Sequence, residues 1–151
     1  MHVRVKQVEG QTWMAVADSG HAVVMDAAPD IGGHDRGMRP MEMVLSGLCG
    51  CTAIDVLMIL QKQRQSVSDV VVEAQAERAA EPPKVFTTIH LVYRVSGRGL
   101  KRAAVERAVR LSSEKYCSVS AMLRPGVVIT DEVEIIEVDP AGLDPDADRR
   151  M

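Results

Sequence analysis

Two cysteines that lie far apart in the sequence are the residues whose chemistry stands out. Cys51 lies in the apolar run 41–60, in which Glu42 and Asp55 are the two charged residues. Cys117 ends an amphipathic segment and has polar neighbours, which favours an accessible thiol. A reactive thiol can be oxidised and then resolved by a second thiol. The two cysteines are therefore interpreted as a redox pair.

Other interpretations of the cysteines stay open. Cysteine is among the residue types that are most often buried, and an inert packing role suits Cys51 and Cys117 as well. Cys49 forms a Cys-Gly-Cys motif with Cys51, but helical residues two apart point in different directions. These two therefore cannot share a metal ion unless the helix unwinds. Zinc ligation by Cys49, Cys51, Cys117 and a histidine is only weakly supported, and Cys49 is interpreted as packing.

Charged groups near Cys51 decide whether its thiolate can form. A position in the middle of a helix gains little from the helix dipole, so activation requires a cation from elsewhere. Arg36 and Arg39, in the loop before the predicted helix, are the nearest arginines in sequence. Glu42 lies at the predicted helix start, where a carboxylate complements the dipole.

Length and composition restrict the class of protein. The 151 residues fit one domain, predicted over residues 1–138, before an acidic, proline-containing tail at 139–151 that is predicted to be disordered. Hydrophobic residues make up 46% of the chain, enough for a core. The net charge of −3 and the absence of a basic stripe argue against nucleic-acid binding. Three cysteines and a strand-like N-terminus favour a cytoplasmic protein over a secreted one.

Hydrophobic periodicity predicts an α+β fold with the element order βββ–α–ββ–α–β. Pro40 suits the first turn of a long helix, since its missing N–H is not needed there. Residues 118–123 either continue the second helix or form a separate turn. The predicted strands are 2–8, 12–17, 21–26, 70–77, 85–95 and 127–138, and the predicted helices are 40–65 and 100–116.

The apolar run 41–60 is long enough to cross a membrane, which takes about 20 residues. Its interruption by Glu42, Ser46 and Asp55 favours a long buried central helix in a globular protein, with no membrane partner. Two small sheets would not cover such a helix on all sides. A second copy of the chain would complete the cover, so a homodimer is predicted.

Two motifs in the chain resemble the OsmC/Ohr family, and its OsmC-like branch most closely. The first is Pro-Met-Glu-Met-Val-Leu at 40–45, followed by Gly47 and by Gly-Cys-Thr-Ala-Ile-Asp-Val at 50–56. The second is Glu-Lys-Tyr-Cys-Ser-Val-Ser-Ala-Met-Leu at 114–123. Together the two motifs are specific, and the order of elements agrees over residues 3–138.

The resemblance implies an OsmC-like fold, an intertwined homodimer with active sites at the subunit interface, and a thiol peroxidase without metal, haem or flavin. Cys51 matches the peroxidatic cysteine and Cys117 the resolving cysteine. The family's carboxylate directly follows the proline, where this chain has Met41, and Glu42 comes one position later. The family's arginine comes from the N-terminal hairpin or a nearby loop. Arg36 and Arg39 are the substitutes within reach by sequence.

The function that follows is the reduction of organic hydroperoxides. Cys51 becomes a sulfenic acid, and Cys117 condenses with it to a disulfide. A dithiol reductant, a small molecule or a lipoyl-type group, then restores both thiols. The alternative is a dimer of the same fold that binds a small apolar ligand or senses redox state without significant peroxidase turnover.

Overall fold

The computed structural model describes residues 1–138, and the tail predicted to be disordered, 139–151, lies outside the described residues. The described chain divides into two compact units, one over Met1–Gly47 and one that begins at Leu48. Strands and helices follow each other in the order βββ–α–ββ–α–α–β. The predicted α+β class is confirmed, and the single domain predicted over residues 1–138 stays a prediction.

The first unit contains an antiparallel sheet of three strands in sequence order. Gly10 and Gly20 form the connecting turns with φ angles of 53° and 81°, which glycine adopts without a steric penalty. A short 3₁₀ turn that the sequence did not predict, Pro29–Ile31, follows the sheet. The strands are β1 (Val3–Glu9), β2 (Thr12–Ala17) and β3 (Ala22–Asp26).

Asp26, at the end of β3, organises the loop that carries the two arginines. Its carboxylate accepts hydrogen bonds from the backbone N–H groups of Ala27 (2.9 Å), His34 (2.9 Å) and Arg36 (3.0 Å). These bonds, that from Arg36 foremost, lower the pKa of Asp26 because they stabilise its ionised form. Gly33 is required nearby, since a Cβ there would lie 1.7 Å from the Ala27 carbonyl oxygen.

Helix α1 (Pro40–Lys62) begins at the predicted proline but ends three residues before the predicted end. Arg64 adopts a left-handed conformation with φ of 54°, and the N–H of Gln65 bonds to the carbonyl of Leu60 at 3.0 Å. This pattern closes the helix and satisfies its last carbonyl groups. Within the single chain, α1 buries one stripe of side chains: Leu48, Thr52, Val56 and Leu60.

The second unit contains a sheet in which β5 lies between an antiparallel β4 and a parallel β6. The strand predicted over 85–95 begins one residue later, at Phe86, and its alternation is interrupted at its start. The register shifts where Arg78 pairs with Phe86, so that Phe86 is buried and Val85 is exposed. The strands are β4 (Ser66–Arg78), β5 (Phe86–Arg98) and β6 (Val128–Glu137).

The segment between β5 and β6 is not the single helix predicted over residues 100–116. Helix α2 (Arg102–Leu111) is followed by a π-helical turn, Ser112–Tyr116, and then by the separate helix α3 (Ser118–Leu123). The N–H of Cys117 bonds to the carbonyl of Ser112 at 2.9 Å, a five-residue step. Such turns insert one extra residue into a helix and are frequent at functional sites.

Among the described residues, α1 is the one helix long and apolar enough to cross a membrane, by length and composition only. Its most apolar 18 residues have a mean hydropathy of 2.1, and 22% of them are buried within the single chain. The core helix of a globular protein passes the same test, so this is weak evidence for a span. The expectation of no membrane partner stays a prediction.

Candidate functional site

The second unit brings Cys51 and Cys117 together. Their sulfur atoms and a carboxylate oxygen of Asp55 all lie within 4.8 Å of one another. Asp55 follows Cys51 by four residues on α1, so the two share one face of the helix. Cys117 is buried, whereas Cys51 and Asp55 are half-buried. Each of the three cysteines in the chain is a free thiol.

Cys117 is held in place by the start of α3. It is the N-cap residue of that helix, and its sulfur accepts a hydrogen bond from the N–H of Ser120 at 3.4 Å. The preceding π turn ends at Tyr116, so Cys117 occupies the junction between two helical segments. Backbone geometry therefore fixes the direction in which this thiol points.

The environment of Cys51 disfavours its thiolate in the single chain. Burial is the largest influence and raises the pKa of Cys51, and a hydrogen bond with the Cys117 thiol raises it further. The N–H groups of Val119 and Ser118 act in the opposite direction, because they can donate to a thiolate. None of these main influences is a cationic side chain.

Asp55 connects the cysteine pair to a chain of hydroxyl groups. Its Oδ2 accepts a hydrogen bond from Ser112 Oγ at 3.1 Å, and Ser112 Oγ bonds in turn to Thr52 Oγ1 at 2.8 Å. Thr52 Oγ1 lies 2.9 Å from the hydroxyl of Tyr93. Ser112 donates its one hydroxyl proton to Asp55, so Thr52 must be the donor to Ser112. The hydroxyls of Ser112 and Thr52 thus both point their protons toward the Asp55 carboxylate.

The hydroxyl chain continues to a second carboxylate. Tyr93, which is fully buried on β5, lies 3.4 Å from Asp131 Oδ1, and Ser113 Oγ donates to Asp131 Oδ2 at 2.8 Å. Burial is the main cause that raises the pKa of Tyr93 above its usual range, so its hydroxyl stays neutral. Arg124 donates to Ser113 and pairs with Asp131. Tyr93 has one proton, so it can donate to Thr52 or to Asp131 but not to both. Ser113, Arg124 and Asp131 line a polar cleft of about 460 Å³ at this end of the cluster.

A smaller cavity opens beside Asp55, and neither Cys51 nor Cys117 lines it. It has a volume of about 290 Å³, and Asp55 contributes to its wall. The other lining side chains are mainly apolar or amphipathic: Met58, Ile59, Lys62, Gln63, Leu111 and Tyr116. Such a mixture suits an apolar ligand that presents a polar group to Asp55.

Cys49 stands apart from this group. It is half-buried, and burial raises the pKa of its thiol. Among the described residues, the cluster of metal-ligand type contains Cys51, Asp55 and Cys117 but not Cys49 or a histidine. The interpretation of Cys49 as a packing residue stays a prediction.

Glu42, Arg36 and Arg39 lie in the first unit, and each has a partner there. Glu42 Oε2 accepts a hydrogen bond from the backbone N–H of Arg39 at 2.8 Å, which is a helix-capping contact. The guanidinium of Arg36 pairs with Glu9 at 2.7 Å, and that of Arg39 pairs with Asp35 at 2.6 Å. Their roles at the thiol site stay predictions.

Asp55 is the site residue that sequence reasoning assigned no role. It follows Cys51 by four residues, which places both on one face of a helix, but nothing in the sequence indicated its hydroxyl partner. Ser112 and Tyr93 were not predicted as site residues. A serine in a predicted helix and a tyrosine in a predicted strand are both common and give no functional signal. The sequence signal that could have found Ser112 is the Ser-Ser pair at 112–113, at which the regular α-helix ends.

Comparison with known proteins identifies the family. A model of the OsmC-like protein family matches residues 33–132, which include both cysteine motifs. The chain belongs to the OsmC-like family. Protein YhfA of Escherichia coli K12 is 50% identical over 136 residues, which cover 90% of this chain and 98% of YhfA. The resemblance to OsmC/Ohr proteins is thereby confirmed.

Solved structures share the OsmC-like fold. A hypothetical protein from Aquifex aeolicus VF5 is 28% identical with a TM-score of 0.81, over 91% of this chain and 97% of that one. The organic hydroperoxide resistance protein OhrB of Bacillus subtilis is 18% identical with a TM-score of 0.61, over 89% and 98%. At that identity the likeness to OhrB establishes the fold alone. The OsmC/Ohr family includes organic hydroperoxide resistance proteins.

Proposed function

We propose that this protein is a thiol-dependent peroxidase that reduces organic hydroperoxides. The observation that carries the proposal is the close approach of Cys51 and Cys117, whose sulfurs lie within 4.8 Å of one another although the residues are 66 positions apart in sequence. Membership of a family that includes organic hydroperoxide resistance proteins supports the same conclusion.

In the first step the sulfur of Cys51 attacks the distal oxygen of the hydroperoxide. The O–O bond breaks, Cys51 becomes a sulfenic acid and the alcohol leaves. Because burial raises the pKa of Cys51, the proton must be removed as the attack occurs. Asp55 is the carboxylate within reach of the sulfur, and it passes this proton on to the leaving alkoxide.

In the second step Cys117 resolves the sulfenic acid. Its thiol attacks the Cys51 sulfur, an S–S bond forms, and the sulfenic oxygen departs as water. The N–H of Ser120 orients the Cys117 sulfur for this attack. A dithiol reductant, a small molecule or a lipoyl-type group, then exchanges with the disulfide and restores both thiols.

The cavity beside Asp55 supports an organic rather than an inorganic peroxide. Met58, Ile59 and Leu111 offer an apolar wall to an alkyl or aryl group. Its volume of about 290 Å³ limits the ligand to a small molecule. The substrate class proposed is therefore a small organic hydroperoxide, and no metal or organic cofactor takes part in the reaction.

We propose that the active form is a cytoplasmic homodimer. In the single chain β1 exposes Val3 (55%) and Val5 (50%), and α1 exposes Ile54 (62%) and Met58 (49%). Obligate interfaces of this apolar kind bury roughly 2,000 Å² or more. Sedimentation should give a dimer at micromolar concentration, and a folded monomer under those conditions would contradict the proposal.

A peroxidase assay with cumene hydroperoxide and a dithiol tests the function directly. The wild-type protein should turn over, and Cys51→Ser should abolish turnover because the sulfenic acid cannot form. Cys49→Ser is the matched control, since it removes a half-buried thiol from the same helix, and its activity should equal that of the wild type. Equal rates for wild type and Cys51→Ser would contradict the proposal.

Peptide mapping after one equivalent of peroxide tests the second step. The disulfide should join Cys51 to Cys117 and leave Cys49 free. In Cys117→Ser the Cys51 sulfenic acid should persist long enough to be trapped by a sulfenic-acid reagent. A disulfide that involves Cys49 in the wild type would contradict the assigned resolving role.

A second function is favoured by one specific observation. The raised pKa of Cys51 is unusual for a peroxidatic thiol and suits a dimer that binds a small apolar ligand or senses redox state. In that case peroxide would still oxidise the cysteine pair in a stoichiometric reaction. Repeated turnover with a dithiol would be absent, which separates this function from the peroxidase in the same assay.

A further inference from the structure

Three potential metal ligands converge in the second unit without being assigned to a metal. The sulfurs of Cys51 and Cys117 and a carboxylate oxygen of Asp55 lie within 4.8 Å of one another. In a tetrahedral zinc site, with Zn–S near 2.3 Å and Zn–O near 2.0–2.2 Å, ligand atoms lie roughly 3.5–3.8 Å apart. Small side-chain rotations therefore bring the three atoms to ligand spacing.

The donor set matches soft divalent cations. Thiolate sulfur is the ligand that selects zinc over magnesium or calcium, and a carboxylate is a common additional zinc ligand. Cys51 and Asp55 come from successive turns of α1, and Cys117 comes from the N-cap of α3. Two separate elements thus supply ligands to one point, which gives the site a fixed geometry.

Two of the three ligands are held by a further hydrogen bond. Ser112 Oγ donates to Asp55 Oδ2 at 3.1 Å, and the N–H of Ser120 donates to Cys117 Sγ at 3.4 Å. Such outer contacts orient metal ligands and strengthen binding in metalloproteins. Asp55 also lines a cavity of about 290 Å³, so one of the three ligands is open to small solutes.

We propose that the reduced protein binds one zinc-class divalent cation through Cys51, Asp55 and Cys117. Both thiols give up their protons on binding, so one cation replaces two protons. The three protein ligands leave a fourth position for water or an external thiol. Oxidation of the pair to a disulfide removes both sulfur donors, so only the dithiol form binds the metal. The proposal holds whether or not the protein turns over peroxide.

Cadmium titration of the reduced protein without oxygen tests the site. Cd²⁺ should give an ultraviolet thiolate-to-metal charge-transfer band that saturates at one equivalent, and prior addition of excess Zn²⁺ should raise the Cd²⁺ concentration needed for saturation. Cys51→Ser and Cys117→Ser should each weaken binding at least about tenfold, and Asp55→Asn should weaken it about tenfold while the band remains. Cys49→Ser is the matched control and should bind as the wild type does.

The oxidised wild type provides a second test that needs no substitution. Diamide converts the cysteine pair to a disulfide without peroxide, and circular dichroism verifies that the fold persists. This form should bind no Cd²⁺. Binding that survives oxidation, depends on Cys49, or is absent from the reduced wild type would overturn the proposal. Because peroxide takes no part, failure of the peroxidase assay would leave this result unaffected.

Discussion

Each of the two units holds a carboxylate in place, but the hydrogen-bond donors differ: backbone N–H groups in the first unit and a side-chain hydroxyl in the second. In the first unit, Asp26 accepts three backbone N–H groups, and nearby guanidinium groups pair with exposed carboxylates. In the second, Asp55 is held by Ser112 at the end of a chain of largely buried neutral hydroxyls. Exposed ion pairs are weakened by solvent and salt, whereas a buried hydroxyl has no substitute partner. Disruption of the buried hydroxyls should therefore have a larger effect than disruption of these exposed ion pairs.

The largest expected effect is that of Asp55→Asn on chemistry at Cys51. Asparagine keeps an oxygen that accepts from Ser112 but cannot take a proton, so the fold should persist. Loss of a general base slows a reaction by about 10²-fold or more. The measurement is the rate of Cys51 oxidation by cumene hydroperoxide as a function of pH. An unchanged rate and pH profile would remove Asp55 from the mechanism.

Thr52→Val tests the stability of the hydroxyl chain. Valine has a similar shape but leaves the hydroxyls of Tyr93 and Ser112 each without one buried partner. The expected loss is about 1–3 kcal/mol in the free energy of unfolding, measured with urea. Thr88→Val is the matched control, because Thr88 bonds to Glu77 on the exposed surface, and its loss should be much smaller. Equal losses would contradict the larger cost assigned to a buried hydroxyl than to an exposed one.

Asp26→Asn should destabilise the first unit in a way that depends on pH. The pKa of Asp26 is lowered in the folded protein, so its charge contributes stability at neutral pH. That contribution is complete above the unfolded pKa of about 3.9 and is lost as the pH falls through the lower folded value. The difference in melting temperature between wild type and Asp26→Asn should therefore shrink on acidification. A difference that does not vary with pH would show that shape, not charge, matters.

Glu42→Gln should have the smallest effect. The carboxylate bonds to the backbone N–H of Arg39 at the start of α1, and loss of its charge should cost about 0.3–1 kcal/mol. Urea unfolding measures this cost. The rate of alkylation of Cys51 by iodoacetamide measures the reactivity of its thiol in the same protein. A slower alkylation in Glu42→Gln would show instead that Glu42 acts on the thiol, as the family resemblance implies.

The sequence predicted most of the fold because its elements follow simple periodicities. Pro40 marked the start of α1, and a period of two marked β4 and β5, since these signals depend only on neighbouring residues. The break after Leu111 was not predictable, because Ser112 and Ser113 leave the α-helical pattern only through their tertiary partners, Asp55 and Asp131. Phe86 was missed for the related reason that its burial depends on the shifted pairing with Arg78.

The sequence likewise predicted only the part of the site that local motifs encode. Cys51 and Cys117 were recognised from local motifs, and their proximity in the structure agrees with the redox pair. The part that sequence reasoning did not supply is the surrounding network, because Thr52 and Tyr93 are 41 residues apart and their contact is purely tertiary. A lone threonine in an apolar helix gives no sign of a partner on a strand.

The π-helical turn also restricts insertions and deletions in this part of the chain. Ser112–Tyr116 contains one residue more than an α-helical turn would need, and Cys117 follows it directly. Deletion of a single residue there would restore regular winding and remove the widened turn that places Ser112 beside Asp55 and Cys117 at the start of α3. Glu114 and Lys115 are exposed, so many replacements should be tolerated at both positions. Insertions and deletions should be far rarer in this stretch than substitutions among proteins that retain the cysteine pair.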